Sequence, residues 1–216
     1  MANLKELRNR ITSISSTMQI TSAMKMVSAA KLKKAQDAIE QMRPFSSKLQ
    51  DIIANVSATL DSSEGPFSQE REVKKMLIVP VTSNRGLCGG FNSGVIKEVN
   101  AIIENNKGAD VSLFTIGKKS TAAYKKTNMV KGDDIEIWND LTFANASDIA
   151  EQLMTEYLEG KWDKIVLVYN RFKNAATQVV TAEQFLPISS SEESNTDSAA
   201  TGDYIYEPQK EEILNI

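Results

Sequence analysis

Histidine is missing from all 216 residues, and cysteine occurs once, at Cys88. The first absence removes Ser-His-Asp and Cys-His catalysis and most zinc chemistry. The second excludes a disulfide framework and fits a reducing compartment. Aromatic residues make up only 6% of the chain. They are scattered, without the interleaving among basic residues that single-strand nucleic-acid binders use. No run approaches the roughly 20 apolar residues of a membrane span. The opening "MANLKE" has no apolar signal core, so nothing points to secretion. The adjacent carboxylates Asp133-Asp134 and Glu192-Glu193 are expected in solvated loops, with no partner pattern for acid-base or metal chemistry.

What is present divides unevenly. Through Lys48 the chain carries nine Lys/Arg against three Asp/Glu, net +6, which leaves −9 for the remainder of a chain whose net charge is −3. A basic amino-terminal arm on an acidic body calls for an acidic partner, either nucleic acid or an acidic protein surface.

That arm keeps one period. Leu4, Leu7, Ile11, Ile14 and Met18 recur in alternating steps of three and four. The same count passes through Thr21, Lys25, Ser28, Leu32, Ala35, Ile39 and Met42, then Ser46, Leu49, Ile53, Val56 and Leu60. A seven-residue repeat held this long predicts a coiled-coil helix that supercoils with another helix. Asn3 followed by Glu6 is a capping-box start. Pro44, lacking an N–H, is expected to kink or restart the helix. Up to Pro44 the rod spans roughly 60 Å. In mid-seam the polar Thr21, Lys25 and Ser28 replace apolar residues, with Ile20, Met24 and Val27 one position earlier. Two readings follow: a local register device, or a stretch facing something other than the helical partner.

Residues 61–75 are polar, contain Gly65-Pro66, and read as a connector. The body, 76–208, alternates strand and helix signals. Strands are expected at Met76–Val81, Val111–Ile116, Ile165–Tyr169 and, more exposed, Gln178–Phe185. One helix is lined by Val95, Ile96, Val99, Ile102 and Ile103 and ends at Asn105-Asn106-Lys107-Gly108. A short one covers Lys118–Lys126. Another is capped by Ser147, with Ile149, Leu153, Tyr157 and Leu158 on its apolar face. This order predicts a Rossmann-like layered α/β domain with a mainly parallel sheet, following a long coiled-coil helix over 1–60. Residues 189–203, "SSSEESNTDSAATGD", read as an acidic flexible loop. Residues 209–216 read as the start of another helix.

"TSNRGLCGGFNSG" opens like a phosphate-cradling loop, since a strand precedes it and a helix follows. Its G-x-x-G-G spacing is neither the dinucleotide fingerprint nor a P-loop. Cys88 could be a nucleophile near a helix amino terminus, but the plainer reading is a tight turn with a buried or idle thiol. Arg85 is an exposed charge available to an anion or, more plainly, to a protein.

Four separated stretches resemble one family. "LKELRNRITSISSTMQITSAMKMVSAAKLKKAQ", "SNRGLCGGFN", "YNRFKNAATQVVTAEQFLP" and "DYIYEP" are similar, in order and spacing, to the gamma subunit of F-type ATP synthases, the central rotor shaft. The resemblance implies a subunit that performs no bond chemistry and holds no cofactor. It turns within a ring of alpha and beta subunits, stands on the membrane ring of c subunits with the epsilon subunit, and meets the membrane only through partners. It implies a peripheral place on the cytoplasmic face of a bacterial membrane. It implies that Met24, Lys25 and Arg85 meet beta, and that Tyr204 and Glu207 sit on the rotor ring. Gamma subunits end in a second long helix that pairs with the first, so the resemblance also implies that Leu4, Leu7, Ile11 and Ile14 await a partner absent from these 216 residues. The remaining alternatives are a nucleotide-binding α/β domain with a coiled-coil tether and a basic module for nucleic acid, which predicts steep loss of affinity with salt.

Overall fold

A computed structural model describes residues 3–59, 66–69 and 71–188. The chain divides into two units, Met1–Ile53 and Ala54–Ile216.

The first unit is helical. Helix α1 runs Leu4–Thr59. Asn3 starts it: its carbonyl accepts the N–H groups of Glu6 and Leu7 at 2.9 and 3.1 Å, and its side-chain oxygen accepts the Lys5 N–H at 3.1 Å. These bonds satisfy donors that have no partner within a first turn. The expected restart at Pro44 does not occur, because α1 continues through it as one helix. A single proline removes one backbone donor, and the turns on either side hold the remaining ladder. Thr12 and Thr17 donate their hydroxyls back to the Arg8 and Ser13 carbonyls at 3.0 and 2.9 Å, and Thr21 does the same to Thr17. Several polar side chains of the seam region are thus absorbed by the helix itself.

The second unit contains a five-stranded sheet in the order β3-β2-β1-β4-β5. In chain order its elements are β1 (Lys75–Pro80), α2 (Phe91–Asn105), β2 (Asp110–Ile116), α3 (Lys118–Tyr124), β3 (Val130–Asp134), α4 (Phe143–Leu158), β4 (Lys164–Asn174) and β5 (Thr177–Leu186). β1, β2, β3 and β4 pair in parallel, and β5 closes the far edge antiparallel to β4. Alternate residues of a strand face opposite ways, so β1 feeds two cores. Met76 and Ile78 join Val95, Val99, Val111, Leu113, Tyr124, Val166 and Val168 on one face. Leu77 and Val79 join Phe114, Leu153, Tyr157, Trp162, Ile165 and Leu186 on the other. A sheet buried on both faces explains why its central strands read as continuous apolar runs.

Four expectations are corrected here. Asp133 and Asp134 lie in β3, an edge strand with too few apolar residues to signal itself, held by its pairing with β2. Helix α4 begins four residues earlier than Ser147, at Phe143. Thr142 caps it by accepting the Asn145 N–H at 3.3 Å, while Ser147 bonds Glu151 within the helix. Leu158 is 47% exposed rather than part of the apolar face. β4 also runs past Tyr169 to Asn174, because β5 pairs with it beyond the end of β1. The acidic loop expected over 189–203 and the helix expected over 209–216 lie outside the described residues.

Candidate protein-interaction site

Along α1, the seam side chains all face solvent: Leu4 74%, Leu7 44%, Ile11 67%, Ile14 64% and Met18 66% exposed. Their spacing places them on one side of the helix. Met24 is 60% exposed and Lys25 is exposed as well. Ile20 and Val27 are equally open at 63% and 58%, so a second apolar stripe runs beside the polar interval. Further along, Lys33 and Asp37 pair at 2.8 Å one turn apart. At these exposures such a pair adds little stability. The helix thus offers long apolar and cationic surface with few side-chain bonds of its own.

In the body, the turn after β1 is built around Asn92, on the first turn of α2. Its carbonyl oxygen accepts the Ser83 N–H at 2.9 Å, and its amide donates to Ser83 Oγ at 2.9 Å and Cys88 Sγ at 3.1 Å. Ser83 Oγ in turn donates to the Arg85 carbonyl at 2.6 Å. On the other side, the Asn84 amide donates to Ile135 O at 2.7 Å and its oxygen accepts the Lys118 N–H at 2.8 Å. Two asparagines therefore tie this turn to α2, to α3 and to the segment after β3. Beneath it, Thr82 and Ser120 exchange a buried hydrogen bond at 2.8 Å. Gly117 holds φ at +95°, and a Cβ there would lie 2.1 Å from Thr82 O, so only glycine fits.

The outer part of the turn projects. Leu87 sits at φ +60° with its side chain fully in solvent. A left-handed leucine is uncommon and persists only where its surroundings hold it. Arg85 and Cys88 are also exposed. The thiol is therefore neither buried nor in an apolar pocket, which corrects half of the expectation for it. What the turn displays is a cation and a leucine, held by hydrogen bonds to α2, α3 and the segment after β3.

The structure leaves Met24, Lys25, Arg85 and the seam side chains exposed; the sequence reading missed Asn92 and Asn84 as the residues that shape the turn. The signal was present: an asparagine just inside a helix start, preceded by Gly89-Gly90, can reach back to the turn it follows. Tyr204 and Glu207 lie outside the described residues.

Comparisons with known proteins agree. A family model described as ATP synthase matches residues 3–216. The ATP synthase gamma chain of Flavobacterium johnsoniae is 57% identical over 215 residues, covering 99% of this chain and 74% of that one. The gamma chain of Geobacter sp. strain M21 is 39% identical, covering 100% of this chain and 75% of that one. Among solved structures, a chain in the central stalk and c-ring structure of the Tetrahymena thermophila mitochondrial ATP synthase superposes with a TM-score of 0.66. It is 28% identical, with 91% of this chain and 84% of that one covered. The protein belongs to the ATP synthase gamma family, the central-stalk rotor subunits of the rotary ATP synthase.

Proposed function

We propose that the chain performs its rotor role without bond chemistry of its own, through α1 and the turn after β1 acting on an alpha/beta ring. The observation that carries this reading is the exposed seam. Each buried large apolar side chain gains about 1.5–3 kcal/mol relative to exposure, so Leu4, Leu7, Ile11, Ile14 and Met18 together represent a strong pull toward a helical partner. A second helix packed on that seam would make the shaft stiff enough to carry torque.

Met24 and Lys25 would then meet the acidic surfaces of the beta subunits, matching the +6 charge of the segment through Lys48. Arg85 would meet beta from the body, displayed by the Asn84 and Asn92 network. Rotation does work only if the shaft contacts the catalytic conformations unequally, because a contact of equal strength in every state shifts no equilibrium. An off-axis cationic and apolar surface supplies that inequality. Tyr204 and Glu207 are assigned to the c-ring, with the epsilon subunit beside it. The chain's place is then peripheral, on the cytoplasmic face of a bacterial membrane, by way of its partners. No helix among the described residues is long and apolar enough to cross a membrane.

Reconstitution with matching alpha and beta subunits tests the reading. The expected result is a complex whose ATP hydrolysis depends on this chain and falls several-fold with Lys25→Glu. Assembly with hydrolysis indifferent to Met24, Lys25 and Arg85 substitutions would overturn the residue assignments. Micromolar nucleotide binding by the purified chain would favour the nucleotide-domain alternative instead.

A further inference from the structure

The body carries two charge blocks in succession. Residues 118–131 hold five lysines and no carboxylate, while residues 132–160 hold eight carboxylates and no Lys or Arg. In the second block, from the loop after β3 to the first residue of α4, three large apolar side chains lie within six positions. Trp138 is 39% exposed, Leu141 65% and Phe143 83%. Single exposed hydrophobic residues are ordinary, but three so close together, on a loop and the first residue of the helix it leads into, mark an interaction surface.

The loop is also held in place. Asp134 Oδ1 accepts the N–H groups of Glu136 and Ile137 at 2.8 and 2.9 Å. Asn84 donates to Ile135 O at 2.7 Å, the Asn139 N–H to Glu136 O at 2.8 Å, and the Asn145 amide to Asp140 O at 2.7 Å. Ile137 turns inward and is buried, which anchors the segment between its exposed neighbours. A loop fixed by this many bonds while presenting a tryptophan, a leucine and a phenylalanine to water has already lost the conformational freedom that binding would otherwise remove. Aromatic anchors of this type dominate interface energies.

Charge selects the partner. Glu136 and Asp140 are exposed beside Trp138 and Leu141, and Asp148 and Glu151 extend the same sign along α4. An anionic lipid surface or a nucleic acid would be repelled. We infer that the β3–α4 loop is a docking site for a cationic amphipathic segment of another polypeptide, its apolar ridge on Trp138, Leu141 and Phe143 and its Lys/Arg side chains reaching Glu136 and Asp140. This inference stands apart from the rotor contacts of α1 and Arg85, and its failure would leave them intact.

The test uses the full chain and an 18-residue helical peptide of leucines on one face and lysines on the other. Binding is followed by calorimetry and by Trp138 emission, against the buried Trp162 as background. The expected result is saturable binding with a blue shift, weakened at least about tenfold by Leu141→Ser with Phe143→Ser and by Glu136→Lys with Asp140→Lys. Substituting glutamate for lysine in the peptide should weaken it as much, and Glu159→Lys, just past the far end of α4, should change affinity little. Because Leu141 is mostly exposed, Leu141→Ser alone serves as a variant that keeps the fold, checked by circular dichroism. The inference is overturned if the loop variants bind like the parent chain, if Glu159→Lys weakens binding equally, or if the glutamate peptide or anionic phosphatidylserine vesicles bind as well.

Discussion

Helix α1 and the body solve the problem of apolar residues in opposite ways. The sheet of the body encloses its own: β1 alone supplies Leu77, Ile78 and Val79 at 1% exposure or less, with helices over both faces, and the body's exposed apolar residues lie outside that core. α1 leaves its apolar residues in water along more than ten turns, from Leu4 to Leu49. The body is therefore stabilised by contacts between its own elements, whereas the seam side chains of α1 lie in solvent and add little to its backbone ladder. A helix in that condition is marginal until something packs on it. On the proposed reading, the body is a platform and α1 a working surface.

Substitutions should respect that division. The largest effect on the isolated chain is expected from Tyr157→Ala. Its ring is fully buried and its hydroxyl donates to Gln69 O at 3.0 Å. Removing it should cost about 3–5 kcal/mol, read as a lowered urea midpoint of the body. Gly94→Ala comes next. A Cβ there would meet Val180 Cγ2 at 2.9 Å, where β5 packs on α2, and the required shift should cost about 1–3 kcal/mol in the same assay.

Ile11→Ser should change the free chain's stability by no more than about 0.5 kcal/mol, since Ile11 is 67% exposed. In an assembled complex the same change should weaken association about tenfold or more, measured by competition with the parent chain. Equal effects in both states would erase the distinction between platform and working surface.

The smallest expected effect is a pH dependence at Glu156. Burial pushes this carboxyl up, but hydrogen bonds from Lys161, Trp162 and Gln152, with the Lys161 charge, outweigh it and hold the group below the ordinary carboxylate range. A depressed folded value means the stabilisation is present above the unfolded pKa and is lost as pH falls through the folded one. Glu156→Gln should therefore flatten the acid side of the body's stability profile, leaving stability near neutrality slightly reduced. The Trp162 Nε1–H, which donates to Glu156 at 2.7 Å, gives a fluorescence signal for the same titration.

How much was legible follows the same division. The seam was readable because a seven-residue repeat is visible without knowing what covers it; β1 and β2 were readable because burial on two faces leaves mostly apolar runs, and α2 because its apolar residues recur on one helix face. β3 was not, because "VKGDD" has neither alternation nor β-branched content beyond Val130. Its strand state comes from pairing with β2, a partner more than ten residues away in sequence. The start of α4 was missed because Thr142 and Ser147 are both acceptable caps, and the choice falls to Asn145 and Asp140. The continuity through Pro44 was missed because a local rule about one residue was outweighed by the helix on either side. Of the candidate contacts, the exposed charge at Arg85 was visible. The asparagines that aim its turn were not, since their function depends on three elements meeting in space.

The central claim is that α1 becomes a stable shaft only in the grip of partners, and amide hydrogen exchange measures this directly. Exchange across Leu4–Met42 would be followed by mass spectrometry in the free chain and in the complex with alpha and beta subunits. The account predicts rapid exchange of α1 in the free chain while β1, β2 and β4 stay protected. Assembly should then slow α1 by about a hundredfold or more with little change in the sheet. Protection of α1 in the free chain equal to that of the sheet, and unchanged on assembly, would contradict it.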